Sequence, residues 1–305
     1  MVAANIRLPN VRRTIIPDPG YTIVDADLAG ADAQVVAWEA GDEKLKSAFR
    51  AGEAIHVFNA RTMWEHELRD MTNDEVKKSK YYKPIKAGVH ATNYGASSNA
   101  LVTNCGFSHS FAQDFQRRWF HAHPEIKAWH TRYQRYLQGV QCWNCDTSDL
   151  IAGRPCLSCG KPIGRTVSNR FGFRRIYFDR VDRLLPEALA WTPQSTVAFC
   201  TELGWVSMEQ GPSFLSQYAH AKATEQSWAA NLVNPDAHAK WGHIVQFLLQ
   251  VHDSIIFQVP HKHEPDIPEI VADMQVRVPY PDPLCIRMDF KQSRVSWGDC
   301  EKVAV

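Results

Sequence analysis

The chain has 305 residues, of which 45% are hydrophobic and 22% are charged, and its formal net charge at pH 7 is +1. This length allows a large core and one or two domains, and the near-neutral charge excludes a globally basic composition. The sequence contains no apolar run of membrane-spanning length and no signal-peptide pattern, so we expect a cytoplasmic protein with reduced cysteines and no membrane partner.

The first strong pattern is an apolar strand that ends in acidic residues. Residues Tyr21 to Asp32 read YTIVDADLAGAD, and this pattern predicts a strand that carries Asp27 at its end. Taken alone, such an aspartate is better interpreted as a turn residue that caps a hairpin.

A helix with one polar face is predicted next. The segment YYKPIKAGVHATNYGAS places Lys86, His90 and Tyr94 four residues apart, which puts them on one slowly drifting helix face. With Pro84 in the first turn, Lys86 lies near the helix N-terminus, where backbone N–H groups and a lysine suit a triphosphate. Taken singly, these residues also fit a solvated or half-buried helix face.

Four cysteines follow in the pattern CWNC-x10-CLSC, at Cys142, Cys145, Cys156 and Cys159. Two CxxC pairs separated by a short loop are typical of a tetrahedral zinc ribbon, and a closed four-cysteine site is structural rather than catalytic. Disulfides and a redox CxxC are the alternatives. A reducing compartment argues against the first, and the pairing of two CxxC motifs argues against the second. We therefore expect one structural zinc ion.

Basic residues are clustered rather than spread along the chain. One cluster comprises Lys77, Lys78, Lys80, Lys83 and Lys86, and a second comprises Lys161, Arg165, Arg170, Arg174, Arg175, Arg180 and Arg183. The second is interleaved with four aromatic residues, Phe171, Phe173, Tyr177 and Phe178. Such interleaving suits a phosphate backbone and stacked bases, whereas the alternative is a pair of solvated faces.

A second strand-borne aspartate lies near the C-terminus. In FLLQVHDSIIFQVP, two apolar runs, each long enough for a buried strand, flank His252 and Asp253. A carboxylate in apolar surroundings is costly unless a cation or a donor compensates it. Two strand-end carboxylates, Asp27 and Asp253, are what a pair of Mg²⁺ ions requires. The proline-rich stretch from Pro265 to Pro283 is expected at the surface.

These motifs, in this order, resemble the palm and fingers of family A DNA polymerases, the bacterial DNA polymerase I type, and most closely their phage members. DADLAGADAQVVAWEAGDEKLKSAFRAGEAIH resembles motif A, KAGVHATNYG resembles motif B, and LLQVHDSIIFQVP resembles motif C. The segments FHAHPEIKAWH, NRFGFRRIYF, PQST and MDFKQSRVSWGDC fall in the order of the family. The resemblance covers nearly the whole chain.

The resemblance implies an α/β (α+β) fold in which a palm sheet is interrupted by helical fingers that carry the zinc ribbon. We expect the first part of the palm at 1–39, the fingers at 40–180 with the ribbon insert at about 140–162, and the second part of the palm at 181–305. The implied activity is template-directed DNA synthesis from dNTPs by two-metal nucleotidyl transfer. For a phage protein, the compartment is the bacterial host cytoplasm.

The resemblance also assigns roles residue by residue. Asp27 and Asp253 would hold two Mg²⁺ ions, with the backbone carbonyl of Leu28 as a further ligand. Lys86 would bind the triphosphate and protonate the leaving group. The remaining nucleotide contacts would be Lys83, His90 at the sugar, Tyr94 at the new base pair, and Asp32 against a ribose 2′-hydroxyl. The residues expected to contact primer-template DNA are Gln194, His252, Arg12, Arg13, Arg174 and Arg175.

The sequence departs from the family at several of these positions. Asp32 replaces the usual glutamate, His90 replaces an aromatic ring, and Ser254 replaces an acidic residue after motif C. The start of the chain, NIRLPNVRR, resembles the middle of the palm, so we expect the C-terminal half of a split or truncated polymerase. A second polypeptide that carries the thumb, with or without an exonuclease, is expected to join near Asn5 to Val11. The alternatives are a non-catalytic DNA-binding replisome subunit derived from a polymerase, and a metal-dependent nuclease.

Overall fold

The structure, a computed structural model, describes residues 10–151, 153–178, 181–211 and 232–302. Most of the expected junction at Asn5 to Val11, as well as Arg180 and the Arg183 side chain, lies outside the described residues. The chain forms two compact units. The first comprises the described parts of Met1–Ala31 and Val197–Val305, and the second comprises Asp32–Thr196.

The described residues form strands and helices in a mixed order, so the predicted α/β (α+β) class is confirmed. The strands are β1 (Tyr21–Leu28), β2 (Thr166–Ser168), β3 (Arg174–Ile176), β4 (Gln246–Val251), β5 (Ser254–Pro260), β6 (Arg277–Val278), β7 (Leu284–Cys285) and β8 (Met288–Ser293). The helices are α1 (Ala31–Ala40), α2 (Glu43–Arg50), α3 (Ile55–Met63), α4 (Glu65–Leu68), α5 (Asn73–Lys78), α6 (Tyr82–Asn93), α7 (Ser98–Cys105), α8 (His109–Ala122), α9 (Pro124–Gln138), α10 (Val181–Gln210), α11 (Ala237–Trp241) and α12 (Ile267–Asp273).

A four-stranded antiparallel sheet in the order β4-β5-β1-β8 organises the first unit. The central strands β1 and β5 are largely buried, because both faces of a central strand are covered more easily than those of an edge strand. Ile23 and Ile256 pack with Trp297 in the core beneath the sheet. The predicted strand before Asp27 and the strand pair around Asp253 are therefore confirmed.

Two expectations for the first unit are wrong. Strand β4 is not a buried strand: it lies at the edge of the sheet, and Leu248 is exposed. The stretch from Pro265 to Pro283 is not merely a surface segment. Its apolar residues at helix spacing, Ile267, Ile270 and Val271, are buried within α12. Prolines at the start of this helix define its boundary, because proline fits the first helical turn.

The second unit is mainly helical. Helix α6 packs against Phe115 of α8 at Gly88, where an added Cβ would lie 2.7 Å from the Phe115 ring. The buried side of α6 includes Ile85 and Val89, so its opposite side faces solvent. This close packing holds α6 in place while its polar face remains accessible.

A buried pair, Asp42 and His123, joins the start of α2 to the junction of α8 and α9. His123 Nδ1 lies 2.6 Å from Asp42 Oδ2, while Asp42 Oδ1 accepts a hydrogen bond from the Leu45 N–H and so caps α2. Burial opposes ionisation of Asp42. The hydrogen bond and charge of His123, with N–H donors from Leu45 and Lys44, outweigh burial and lower the Asp42 pKa. The pair is therefore a fixed polar contact inside an apolar helical unit.

Among the described residues, no helix has both the length and the apolar character needed to cross a membrane.

Asp42→Ala should lower the free energy of unfolding by about 2 kcal/mol or more, because it removes a helix cap and leaves a buried histidine without its partner. Urea denaturation monitored by circular dichroism measures the change. Asp42→Asn, which keeps a capping oxygen, should lose less, and Asp114→Ala, at a partly exposed ion pair, should lose little. Equal stability of wild type and Asp42→Ala would contradict this role.

Candidate functional site

The two predicted carboxylates meet where β1 ends beside the β4–β5 hairpin. In the antiparallel register, Asp27 pairs with Ser254, and the Leu28 N–H donates to the Asp253 carbonyl oxygen at 3.2 Å. The Ser254 hydroxyl donates to Asp27 Oδ1 at 2.8 Å. The strand pairing therefore places Asp27 and Asp253 at the same end of the sheet.

The hairpin that carries Asp253 turns in only two residues, His252 and Asp253, between the paired residues Val251 and Ser254. His252 has φ 55°, a backbone conformation that non-glycine residues rarely adopt. A positive φ at the first central residue fits the turns that match the twist of paired strands. The turn leaves the His252 side chain exposed.

A cavity of about 360 Å³ opens at this end of the sheet. Its lining combines four carboxylates with four basic or ionisable side chains, namely Asp25, Asp27, Asp253 and Asp289 with Arg12, His252, Lys291 and Lys302. Burial raises the pKa of Asp27, and the charges of Asp253 and Asp25 raise it further against the opposing hydrogen bond from Ser254. The cavity therefore gathers carboxylate oxygens, which are the ligands that divalent cations such as Mg²⁺ take, beside three basic side chains.

Strand β8 contributes residues to the cavity that sequence reasoning did not identify. Its register places Asp289 opposite Asp27 and Lys291 opposite Asp25. The Trp297 indole N–H donates to Asp25 Oδ2 at 2.8 Å, while Asp25 Oδ1 is buried and has no hydrogen-bond partner among the described residues. The motif MDFKQSRVSW contained these residues, but only the β1–β8 pairing shows that they face the carboxylates.

The two predicted arginines lie on the short 3₁₀ helix Val11–Thr14 in the first unit. The Arg12 guanidinium lies over the Trp297 ring at 4.5 Å and lines the cavity. Arg13 forms an ion pair with Asp299 at 3.1 Å and is two-thirds exposed. The structure thus brings Arg12 and His252 together with Asp27 and Asp253, whereas Arg13 points to Asp299.

The remaining predicted residues belong to the second unit. Lys83, Lys86 and His90 are exposed on α6, opposite its buried side. The helix begins at Tyr82, so Lys86 lies in its second turn. Burial lowers the pKa of His56, and the nearby charge of Lys86 lowers it further. His56 therefore neighbours Lys86, although the motif A segment that it ends assigned it no role.

Tyr94 lies just after α6, which ends at Asn93, and still continues the polar face of the helix. Its hydroxyl donates to Asp32 Oδ2 at 2.7 Å, and its ring contacts the His90 ring at a centroid distance of 4.5 Å. Burial and the Asp32 carboxylate raise the pKa of Tyr94, so its hydroxyl stays a donor. Asp32, His90 and Tyr94 therefore form one contiguous group.

The predicted DNA contacts of the second unit are all exposed. Gln194 is exposed on α10, and Arg174 and Arg175 are exposed on β3. Of the interleaved aromatic residues, Phe171 and Tyr177 are buried, whereas Phe173 and Phe178 are exposed. Two of the four aromatic rings thus belong to the core and two lie at the surface.

The four ribbon cysteines converge on one point. Their Sγ atoms all lie within 4.8 Å of one another, and the Cys142–Cys159 and Cys145–Cys156 Sγ distances are both 3.6 Å. A tetrahedron with metal–sulfur bonds of about 2.3 Å has edges of about 3.8 Å. The cluster therefore has the dimensions of a tetrahedral metal site.

The two CxxC turns repeat the same backbone hydrogen bonds. The Cys142 N–H donates to Thr147 and the Cys156 N–H donates to Lys161, both at 2.9 Å. The residue after each pair, Asp146 or Gly160, has positive φ. Burial opposes ionisation of Cys156, but backbone N–H donors outweigh it and lower its pKa to about 7. Each turn thus directs donors at sulfur, as a bound thiolate requires.

Comparison with known proteins adds independent information. Residues 4–143 match the family model of DNA polymerase family A. The thermostable DNA polymerase I of Thermus filiformis is 30% identical over 119 residues, 39% of this chain and 14% of its own length. The DNA polymerase I of Caldicellulosiruptor bescii is 25% identical over 279 residues, 91% of this chain and 27% of its own length. The chain thus spans about a quarter or less of these relatives.

A solved structure has a similar fold. The POL domain of Pol1 from M. smegmatis, in complex with DNA primer-template and dNTP, aligns with a TM-score of 0.64 at 18% sequence identity. The alignment covers 97% of this chain and 44% of that one. The mixed helix and sheet fold is therefore similar to that of a polymerase domain, and residues 4–143 are similar to DNA polymerase family A, as the motifs predicted.

Proposed function

We propose that this chain carries out template-directed DNA synthesis from dNTPs by two-metal nucleotidyl transfer. The observation that carries the proposal is the convergence of Asp27 and Asp253 in one acidic cavity. The relationship to family A polymerases supports the same reaction. In this reading, the first unit belongs to the palm and the helical second unit to the fingers, with the ribbon as an insert at about 140–162.

The carboxylates of the cavity would bind two Mg²⁺ ions. Carboxylate oxygens are the ligands that Mg²⁺ prefers, and Asp25 Oδ1 adds a buried acceptor that has no hydrogen-bond partner in the described part of the chain. Asp27, Asp253 and the Leu28 carbonyl would hold the ions. When bound, the ions would lower the pKa of the primer 3′-hydroxyl and neutralise the triphosphate. Ser254 orients the Asp27 carboxylate through its hydrogen bond.

The exposed face of α6 would bind the nucleotide. Lys86 and Lys83 offer two cations for the triphosphate, and Lys86 would give its proton to the leaving pyrophosphate. His90 and Tyr94 would pack against the sugar and the new base pair. The hydrogen bond from Tyr94 holds Asp32 in a fixed orientation, which suits a carboxylate that excludes a 2′-hydroxyl.

Exposed polar and basic residues would bind the primer-template. Gln194 would contact the minor groove, where acceptor positions are common to all correct base pairs. Arg12 and His252 lie beside the carboxylates and would approach the primer terminus. Arg13 would contact the DNA backbone, as would Arg174 and Arg175 on β3.

The cysteine cluster would bind one structural zinc ion. The two 3.6 Å Sγ distances and the paired turns support a tetrahedral site. Four thiolate ligands leave no open coordination position, so the ion would not take part in nucleotidyl transfer.

Asp27→Asn and Asp253→Asn should each reduce nucleotide incorporation by roughly a thousandfold or more, because each removes a metal-binding charge. Primer extension and thermal melting, measured side by side, separate activity from folding. Ser254→Ala should lose only about tenfold, since it removes one hydrogen bond to Asp27 but keeps both carboxylates.

A partly exposed carboxylate in the second unit provides the matched control. Asp114→Asn should leave incorporation unchanged, because Asp114 forms ion pairs with Arg117 and Arg118, away from the cavity. Wild-type extension by either cavity variant would refute the metal assignment. DNA binding without incorporation by the wild type would instead favour a non-catalytic replisome subunit.

Asp32→Ala should increase ribonucleotide incorporation relative to deoxyribonucleotide by about tenfold, because it opens space for a 2′-hydroxyl. Single-turnover incorporation of both sugars measures the ratio. Tyr94→Phe should raise the ratio less, since it keeps the carboxylate but removes the hydrogen bond that orients it. An unchanged ratio in Asp32→Ala would show that another residue excludes ribonucleotides, and His90 would be tested next.

Protein purified without added metal should contain one zinc ion per chain, as measured by elemental analysis. Serine at Cys142, Cys145, Cys156 or Cys159 should abolish zinc binding, whereas Cys105→Ser and Cys300→Ser should retain it. Loss of the ion should unfold the ribbon locally and leave the palm sheet intact, because the site lies in a compact insert. Zinc-free protein with four accessible thiols would disprove the site.

A further inference from the structure

Exposed apolar side chains are concentrated in one short part of the second unit. Among the described residues, six of the exposed large hydrophobic side chains lie between positions 140 and 178, namely Val140, Ile151, Leu157, Phe173, Ile176 and Phe178. This segment holds the cysteine ribbon and the β2–β3 hairpin, and we call it the ribbon–hairpin segment. These exposed side chains are available to contact a ligand.

The same segment is strongly basic. Residues 140–178 contain six lysine or arginine residues and two aspartates, although the whole chain has a net charge of only +1. A zinc ion with four thiolates adds two negative charges, and the segment stays cationic even then. Its positive charge therefore complements a polyanion. Its apolar side chains complement a polyanion that also exposes apolar surface.

Several of its cations are available for a ligand. Within the described residues, no carboxylate pairs with Arg154, Lys161 or Arg174. The Arg174 guanidinium lies 5.9 Å from the centre of the Trp143 ring, and the Trp143 indole N–H is held by the Pro162 carbonyl at 2.9 Å. The ribbon thus fixes a tryptophan beside an unpaired arginine on the hairpin.

The hairpin adds an exposed aromatic ring to this surface. Alternation along β3 places Arg174 and Ile176 on one face, and Phe178 follows two residues after the strand ends. Phe178 is 89% exposed, yet its backbone carbonyl accepts a hydrogen bond from Arg165 Nη1 at 3.2 Å. A solvent-exposed ring on an anchored backbone is the arrangement that stacks against an unpaired base.

We propose that the ribbon–hairpin segment binds single-stranded DNA, with Phe178 and Trp143 stacking on bases and Arg174 and Lys161 contacting phosphates. Unpaired bases expose their faces to aromatic side chains, whereas bases within a duplex are already stacked, so this chemistry selects a single strand. The inference deepens the proposed function: if the chain copies DNA, this surface holds the unpaired template. Zinc binding would maintain the surface by fixing Trp143.

Fluorescence anisotropy with a labelled oligothymidine of about 16 nucleotides tests the binding, using the full chain without Mg²⁺ or dNTP. Phe178→Ala should weaken binding by about fivefold or more, as expected for the loss of one stacked base. Arg174→Ala should weaken binding and reduce the slope of log affinity against log salt by about 0.7, because one phosphate contact is lost.

Matched substitutions elsewhere in the second unit provide the controls. Met71→Ala removes another exposed apolar side chain, and Arg117→Ala removes another exposed arginine. Both should bind oligothymidine like the wild type. Equal binding by Phe178→Ala, Arg174→Ala and wild type would overturn the proposal, as would tighter binding of oligouridine than of oligothymidine. Self-association of the wild type that disappears in Phe178→Ala would assign the surface to protein contact instead.

Two templates separate this proposal from the proposed function. On a primer with a one-nucleotide template overhang, Phe178→Ala should extend like the wild type. On a long single-stranded template, it should show a higher KM for template with unchanged kcat. An equal rise of KM on both templates would overturn the single-strand assignment. Absence of extension by the wild type, with Phe178-dependent oligothymidine binding intact, would refute DNA synthesis and leave the binding surface established.

Discussion

The antiparallel pairing of β1 with β5 is the constraint on which the candidate site depends. It joins Asp27 to Ser254, residues that are 227 positions apart, and the tight hairpin then places Asp253 beside them. Burial, and then repulsion from Asp253 and Asp25, disfavours the ionised form of Asp27 and raises its pKa. The buried core under the sheet offsets this repulsion, because β1 and β5 contribute strongly apolar runs.

In the second unit, helix α6 packs firmly on one side and exposes polar residues on the other. Because Gly88 has no side chain, the Phe115 ring can pack against the inner side of this helix. The outer side can then carry Lys83 and Lys86 at little energetic cost, since these lysines remain solvated. The ribbon depends on neither arrangement, because its cysteines form their own local set of turns and donors. Metal-binding and nucleotide-binding roles can thus be separated by mutation.

Much of the fold was predictable where a local pattern carried the information. The strand before Asp27, the hairpin around Asp253, helix α6 and the paired CxxC turns all follow from hydrophobic periodicity or residue spacing. Predictions of burial succeeded less well. The sequence of strand β4 is apolar, but the strand lies at a sheet edge. The proline-rich stretch after Pro265 contains a helix with one buried face. Burial depends on neighbours distant in sequence, which local periodicity does not specify.

The sequence by itself determined which residue types are available, namely strand-end aspartates, a lysine-bearing helix and four cysteines at metal-binding spacing. It also predicted the similarity to DNA polymerase family A, because ordered motifs persist at low overall identity. Only the tertiary structure decided that Asp25, Asp289 and Lys291 share the cavity with Asp27, and that His56 lies near Lys86. It alone set Trp143 of the ribbon beside Arg174 of the hairpin. These contacts arise from strand register and packing, whose energies sum over partners that no local sequence window contains.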